Sequence, residues 1–143
     1  MDVSTDRMEA GNGNDPLRYL SVLTNGLSTP ALLWCPADKD RQPAATFSSL
    51  RRESISYFVG LDAKMGQPQD FLAGDRNLIT NGSPVGLGLA VLTTNMVLGW
   101  TAQIHNLQGN IALGDGSVQQ FNGPKLTQAM RGLGVSVARL AVP

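Results

Sequence analysis

The chain has 143 residues and 11 basic against 11 acidic side chains, so its net charge is zero. That length suits one domain with one hydrophobic core, and the low charge content of 15%, with 16 Gly and 8 Pro, favours β-structure with many loops. Arg51-Arg52 is the sole adjacent basic pair and Glu53 follows it, so the clustered cations that a nucleic-acid backbone or an anionic membrane surface requires are missing.

One cysteine, Cys35, excludes an internal disulfide and a zinc site built from several thiolates. No run approaches the apolar length of a membrane-spanning helix. The front of the chain, Met1 to Asp15, is polar and lacks the basic and apolar regions of a signal peptide. As it stands the chain is expected to be soluble and not membrane-inserted.

In chain order, residues 1–14 read as an irregular arm, and 15–143 as a single domain. Asp15-Pro16 is a helix-start pair, N-cap then first helical residue, which predicts a short helix over 16–25 closed at Asn25-Gly26. Ala31 to Cys35 reads as a short buried strand ended by Pro36, and 36–50 as loop with one helical turn around Phe47. Ser54 to Leu61 is rich in β-branched and aromatic residues, hence a strand. Residues 62–70 read as a polar loop, Asp70 to Ala73 as a strand ending at Gly74-Asp75-Arg76-Asn77, and 79–89 as a loop or weak edge strand.

The strongest pattern lies at 96–121. Met96 to Ile104, Asn110 to Gly114 and Ser117 to Phe121 predict a three-stranded antiparallel meander, with Asn106–Gly109 as the first turn. Asp115-Gly116 is a type I′ turn sequence, which demands positive φ at both residues. Pro124 opens a final helix with Leu126, Ala129, Met130 and Leu133 on one stripe. The expected class is α+β: an antiparallel meander sheet with a short N-terminal and a C-terminal helix.

Candidate chemistry is sparse. His105 is the lone histidine and no Gly-x-Ser-x-Gly elbow occurs. A Cys35/His105 dyad is the formal nucleophile, but Cys35 sits in an apolar run, where a small buried hydrophobe is the commoner state. Asp75 and Asp115 are candidate paired carboxylates, yet Asp beside Gly is usually a turn-former. Gly82 to Gly88 lacks the Lys and the strand-to-helix setting of a phosphate loop. Asp75, Asn77 and Asp115 are the oxygen ligands a structural Ca²⁺ would use, against the simpler reading of three turn residues. The expectation is no catalytic residue and no cofactor, with that Ca²⁺ site as the alternative. In the expected meander His105 and Asp115 stand at opposite ends of a hairpin, roughly 15–20 Å apart. His105 would then bond loop backbone, and Asp115 would make the tight turn. Trp34 and Trp100 read as core anchors.

The stretch His105 to Gly116, HNLQGNIALGDG, places His nine residues before Asp-Gly. It resembles the signature of prepilin-type, processing-associated proteins abundant in Planctomycetes and Verrucomicrobia. Further segments resemble the same family: Trp34-Cys35-Pro36-Ala37-Asp38, Ser56 to Ala63, Gly74-Asp75-Arg76-Asn77, Gly99-Trp100-Thr101 and Arg139 to Pro143. The motif residues so marked are Cys35, Pro36, Asp38, Gly74, Asp75, Arg76, Asn77, His105, Asp115 and Gly116, all in structural roles.

The resemblance implies a pseudopilin-like subunit of a type II secretion or type IV pilus-like system, periplasmic or on the cell surface. Such proteins begin with a cleaved leader and an apolar helix that anchors the parent in the inner membrane and later joins other pilin-like subunits. Those features are absent at the front of this sequence, which is therefore expected to be the globular domain alone, not an enzyme. The resemblance predicts an apolar stripe on the side of the 16–25 helix, where an anchor helix would pack. The alternatives are a periplasmic or surface module whose loops 62–70 and 79–89 hold a glycan or protein in a concave pocket, and an enzyme with a perturbed titratable group in such a pocket.

Overall fold

The computed structural model describes residues 16–20 and 26–143. The expected arm at 1–14, the Asp15 cap and the second half of the first helix lie outside the described residues. Helix α1 covers Pro16–Leu20, and α2 covers Gly123–Arg131. The strands are β1 Tyr57–Gly60, β2 Phe71–Asp75, β3 Leu78–Thr80, β4 Ser83–Pro84, β5 Gly88–Thr93, β6 Leu98–Trp100, β7 Gln108–Leu113, β8 Val118–Asn122 and β9 Val137–Val142. The class is α+β. No helix among the described residues is long and apolar enough to cross a membrane.

The strands form a six-stranded sheet in the order β5-β9-β1-β2-β7-β8 and a three-stranded sheet β4-β3-β6, with antiparallel pairing throughout. One core joins the two sheets and α2. Phe58, Phe71, Leu92, Ile111 and Leu140 enter it from the large sheet, Leu78, Leu98 and Trp100 from the small one, and Leu126, Met130 and Leu133 from the α2 stripe and its exit. Asn122 caps α2 by accepting from the Lys125 N–H, and Pro124 occupies its first turn. The Thr127 hydroxyl ties α2 to β6 by bonding both the N–H and the carbonyl of Leu98.

A second cluster lies on the other face of the large sheet. Leu17 and Leu20 of α1 pack with Leu33, Ala44, Leu50 and Ile55, and Val59 of β1 meets them from the sheet. Because side chains alternate along a strand, Leu89, Val91 and Thr93 of β5 and Val137, Arg139 and Ala141 of β9 share that face, as their pairing register requires.

Several expectations are corrected. Residues 30–33 form a turn of 3₁₀ helix, not a strand: Pro30 cannot donate to a ladder, and the Thr29 hydroxyl caps the turn by accepting from the Ala31 N–H. Arg52–Ser54 is also a 3₁₀ turn, so the strand expected from Ser54 begins at Tyr57, while the helical turn expected around Phe47 is present as the 3₁₀ turn Phe47–Ser49. The segment 79–89 contains β3, β4 and the start of β5, turned at Asn81-Gly82 where both residues have positive φ (50° and 84°). That pair is the type I′ turn.

At Asp115-Gly116 only Gly116 has positive φ, 88°. The Gly116 N–H returns to Leu113 O, and Leu113 N–H bonds Ser117 O, so the loop has three residues and a left-handed Gly at its end. The meander is reduced to the β7–β8 hairpin. β6 is three residues long and pairs with β3 in the other sheet, because Leu98 and Trp100 are both needed in the core between the sheets. The segment at 137–142 is a full strand between β5 and β1.

Candidate functional site

Three of the family-like segments meet at one place. Cys35 follows the 3₁₀ turn at 30–33, Asp75 ends β2, and His105 lies in the loop between β6 and β7. The Cys35 Sγ is 3.5 Å from His105 Nε2, and Asp75 Oδ2 is 3.4 Å from the same nitrogen. The three donor atoms all lie within 4.8 Å of one another. Cys35 and Asp75 are buried, while 27% of the His105 side chain is exposed.

Each member is held by backbone. The Cys35 N–H donates to the Ser56 hydroxyl at 3.0 Å, and the Ser56 N–H and carbonyl bond Leu33 O and Arg76 N–H. Ser56 therefore fastens the cysteine segment to the entry of β1 and the exit of β2. Asp75 is opposite Tyr57 in the sheet, and its Oδ2 accepts the Asn110 N–H of β7 at 2.6 Å. Gly109, one residue earlier, lets the Trp100 ring lie flush on β7, where a Cβ would meet three ring carbons at 2.5 Å or closer. His105 is placed by a loop whose return uses left-handed Asn106 and Leu107, φ 50° and 65°. Asn77 pins that loop, since its carbonyl accepts the Thr101 N–H and its Nδ2 donates to the Thr101 carbonyl.

Charge is poorly balanced at the cluster. Burial raises the Asp75 carboxyl above its ordinary value, outweighing the Asn110 N–H and the nearby His105. Its Oδ1 is buried without a hydrogen-bond partner. The half-buried Tyr57 phenol is pushed up to about 12, by burial first and then by Cys35 and Asp75 beside it. Next to the cluster stands a satisfied pair: Arg76 donates to both oxygens of Asp38 at 2.7 Å. Burial raises the Asp38 carboxyl, but the bonds from Arg76, Ser56 and the Asp40 N–H together bring it below its ordinary value.

The arrangement is not a nucleophile–base–carboxylate relay. A relay places the nucleophile on one ring nitrogen and the orienting carboxylate on the other. Here the thiol and the carboxylate both face Nε2.

The sequence candidates separate accordingly. Cys35, Asp75 and His105 come together, and Asp38 and Arg76 pair beside them. The expected role for His105 is corrected: it meets Cys35 and Asp75, because the 101–107 loop folds back onto β2. Asp115 does make the turn, its carboxylate taking the Ser117 N–H and hydroxyl at 3.0 and 2.6 Å. Asp75, Asn77 and Asp115 occupy three different places, a buried cluster, a loop clamp and an exposed turn, so they do not form the Ca²⁺ site or the carboxylate pair. Pro36 is exposed and its carbonyl accepts from Lys39 Nζ. Gly74 lets the Phe58 ring approach, since a Cβ there would lie 2.5 Å from it.

Ser56 and Tyr57 escaped notice as site residues; their signals were membership in a strand-like segment and in the family-like stretch Ser56 to Ala63. Elsewhere, the 62–70 loop borders a groove with Leu133, Val135 and Arg139, and Arg139 is paired with Asp62 at 2.7 Å. Residues 79–89 do not join that groove. No protein-family model, curated protein or solved structure matches the chain.

Proposed function

We propose that this chain is the globular domain of a pseudopilin-like assembly subunit with no catalysis of its own. One observation carries the reading: among the described residues, the face of the large sheet that α1 partly covers keeps exposed apolar side chains toward the β5 edge, around Arg139. Leu89 is 45% exposed, Val91 40% and Val137 39%, all on that face. Tyr19 of α1, 37% exposed, stands near Arg139 on the same side. Among the described residues β5 is the end strand of its sheet, and an edge strand with exposed apolar side chains is a surface that a neighbouring element covers. In a pilin-like subunit that element is an apolar helix, its own or a neighbour's. The ordered family-like segments and the cluster's unsuitability as a relay support the same reading.

The test uses the native gene in its host. The product of the gene and its upstream coding segment should be cut by prepilin peptidase, fractionate with the inner membrane and co-purify with sister pilin-like subunits. Leu89→Lys with Val91→Lys should weaken that co-purification. An uncut product that meets no pilin-like subunit overturns the proposal, and the groove beside residues 62–70 then becomes the place to screen for ligands.

A further inference from the structure

We propose that Cys35, Asp75 and His105 form a binding site for one thiophilic divalent metal ion, with Zn²⁺ the best fit. The proposal is independent of the assembly role.

Geometry is the first argument. A tetrahedral Zn²⁺ with bonds of about 2.0–2.3 Å to N, O and S ligands sets its ligand atoms about 3.3–3.6 Å apart. The observed separations are 3.5 Å from sulfur to nitrogen and 3.4 Å from nitrogen to oxygen. The second of these is longer than an ordinary N–H···O bond, which runs to about 3.2 Å. Two of the three edges are thus spaced as in a coordination polyhedron, and the third, from Cys35 Sγ to the Asp75 carboxylate, lies within 4.8 Å.

The second argument is proton count. Nε2 carries at most one hydrogen, yet it faces both a thiol and a carboxylate. If it donates to Asp75, its contact with Cys35 is unmet. If it accepts from the Cys35 thiol, its lone pair faces the carboxylate oxygen. One hydrogen or one lone pair on Nε2 therefore cannot make two well-aligned hydrogen bonds, one to each neighbour. A cation among the three atoms contacts all of them and compensates, through Oδ2, the charge of a carboxylate that is only 1% exposed.

The ligand types select the metal. Thiolate with imidazole and one carboxylate suits Zn²⁺ and related soft or borderline ions, not Ca²⁺ or Mg²⁺, which take oxygen ligands. Three protein ligands leave one tetrahedral position, and the partly exposed His105 is the side from which an ion enters. Asn77 and Ser56 act as positioning residues, one clamping the His105 loop and the other the Cys35 backbone. Binding would join the three segments to one another.

The test is Co²⁺ and Zn²⁺ titration of the chelator-treated protein. One Co²⁺ per chain should bind with a thiolate-to-cobalt charge-transfer band, and Zn²⁺ should bleach it stoichiometrically. Zn²⁺ should raise the melting temperature while Ca²⁺ leaves it unchanged. Cys35→Ser should abolish the charge-transfer band, and His105→Gln should weaken binding at least about tenfold, the scale on which lost metal-site interactions act. Circular dichroism confirms that each variant is folded. If one variant does not fold, the band in the wild-type protein still decides. Absence of that band, or Zn²⁺ binding equal in wild type and folded variants, overturns the proposal.

Discussion

Arg76 holds the Asp38 carboxylate by two parallel hydrogen bonds of 2.7 Å, and the carboxylate is fully buried. The pair joins the loop after Cys35 to the turn after Asp75, so it braces two of the three segments at the cluster. Such a fork adds geometric specificity as well as energy. Removing the cation leaves a buried charge unpaired. Arg76→Met is expected to cost about 3–5 kcal/mol in urea unfolding at neutral pH. Arg76→Lys should recover part of it, since an ammonium cannot reproduce the fork.

The same pair fixes a pH dependence. The Asp38 carboxyl lies below its ordinary value of 3.8 in the fold, so its stabilisation is present above that value and is lost as pH falls through the folded one. The stability gap between wild type and Arg76→Met should therefore shrink at the acid end. Parallel denaturant curves from neutral pH downward check this.

Asp75 behaves oppositely. Burial raises its folded value above 3.8, so the fold favours the protonated form. The ionised form costs stability above the folded value, and the cost fades as pH falls toward 3.8. Asp75→Asn keeps an acceptor for the Asn110 N–H. In chelator-treated protein it should be more stable than wild type at neutral pH, with the gain vanishing in acid. The same variant should lose the Zn²⁺ response. A destabilised Asp75→Asn would count against this account of the buried carboxylate.

Tyr57 reports the cluster spectroscopically. Its phenol should ionise only near pH 12, because burial and the neighbouring Cys35 and Asp75 disfavour phenolate. The phenolate absorbance lost in Tyr57→Phe isolates this residue. Cys35→Ala should bring its midpoint down.

Gly109→Ala tests the packing under the site. The added methyl would enter the Trp100 ring, itself 2% exposed. Overpacking of this kind costs about 1–3 kcal/mol. Trp100 fluorescence should shift, and metal affinity should fall, because the neighbouring Asn110 N–H positions Asp75.

Local chemistry was legible in the sequence where neighbours in the chain decide the outcome. Helix α2 follows from Pro124 at its start and its apolar stripe, and the β7–β8 hairpin from alternation around Asp115-Gly116. The 31–35 segment misled because an apolar run serves a buried 3₁₀ turn as well as a strand, and periodicity cannot separate them. β6 misled because its length and partner depend on where Trp100 must sit, a choice made by the opposite sheet.

Composition and spacing by themselves determined a weakly charged, loop-rich α+β chain without a polybasic surface or a disulfide, and they marked Cys35, Asp75 and His105 in three separate segments. Only the tertiary structure decided that these three meet. They are 40 and 30 residues apart in sequence, and their donor atoms converge because β2 pairs with β1 and β7 while Ser56 and Asn77 fasten the flanking loops. Long-range pairing sets that convergence, and no local pattern encodes which loop end will face which strand end.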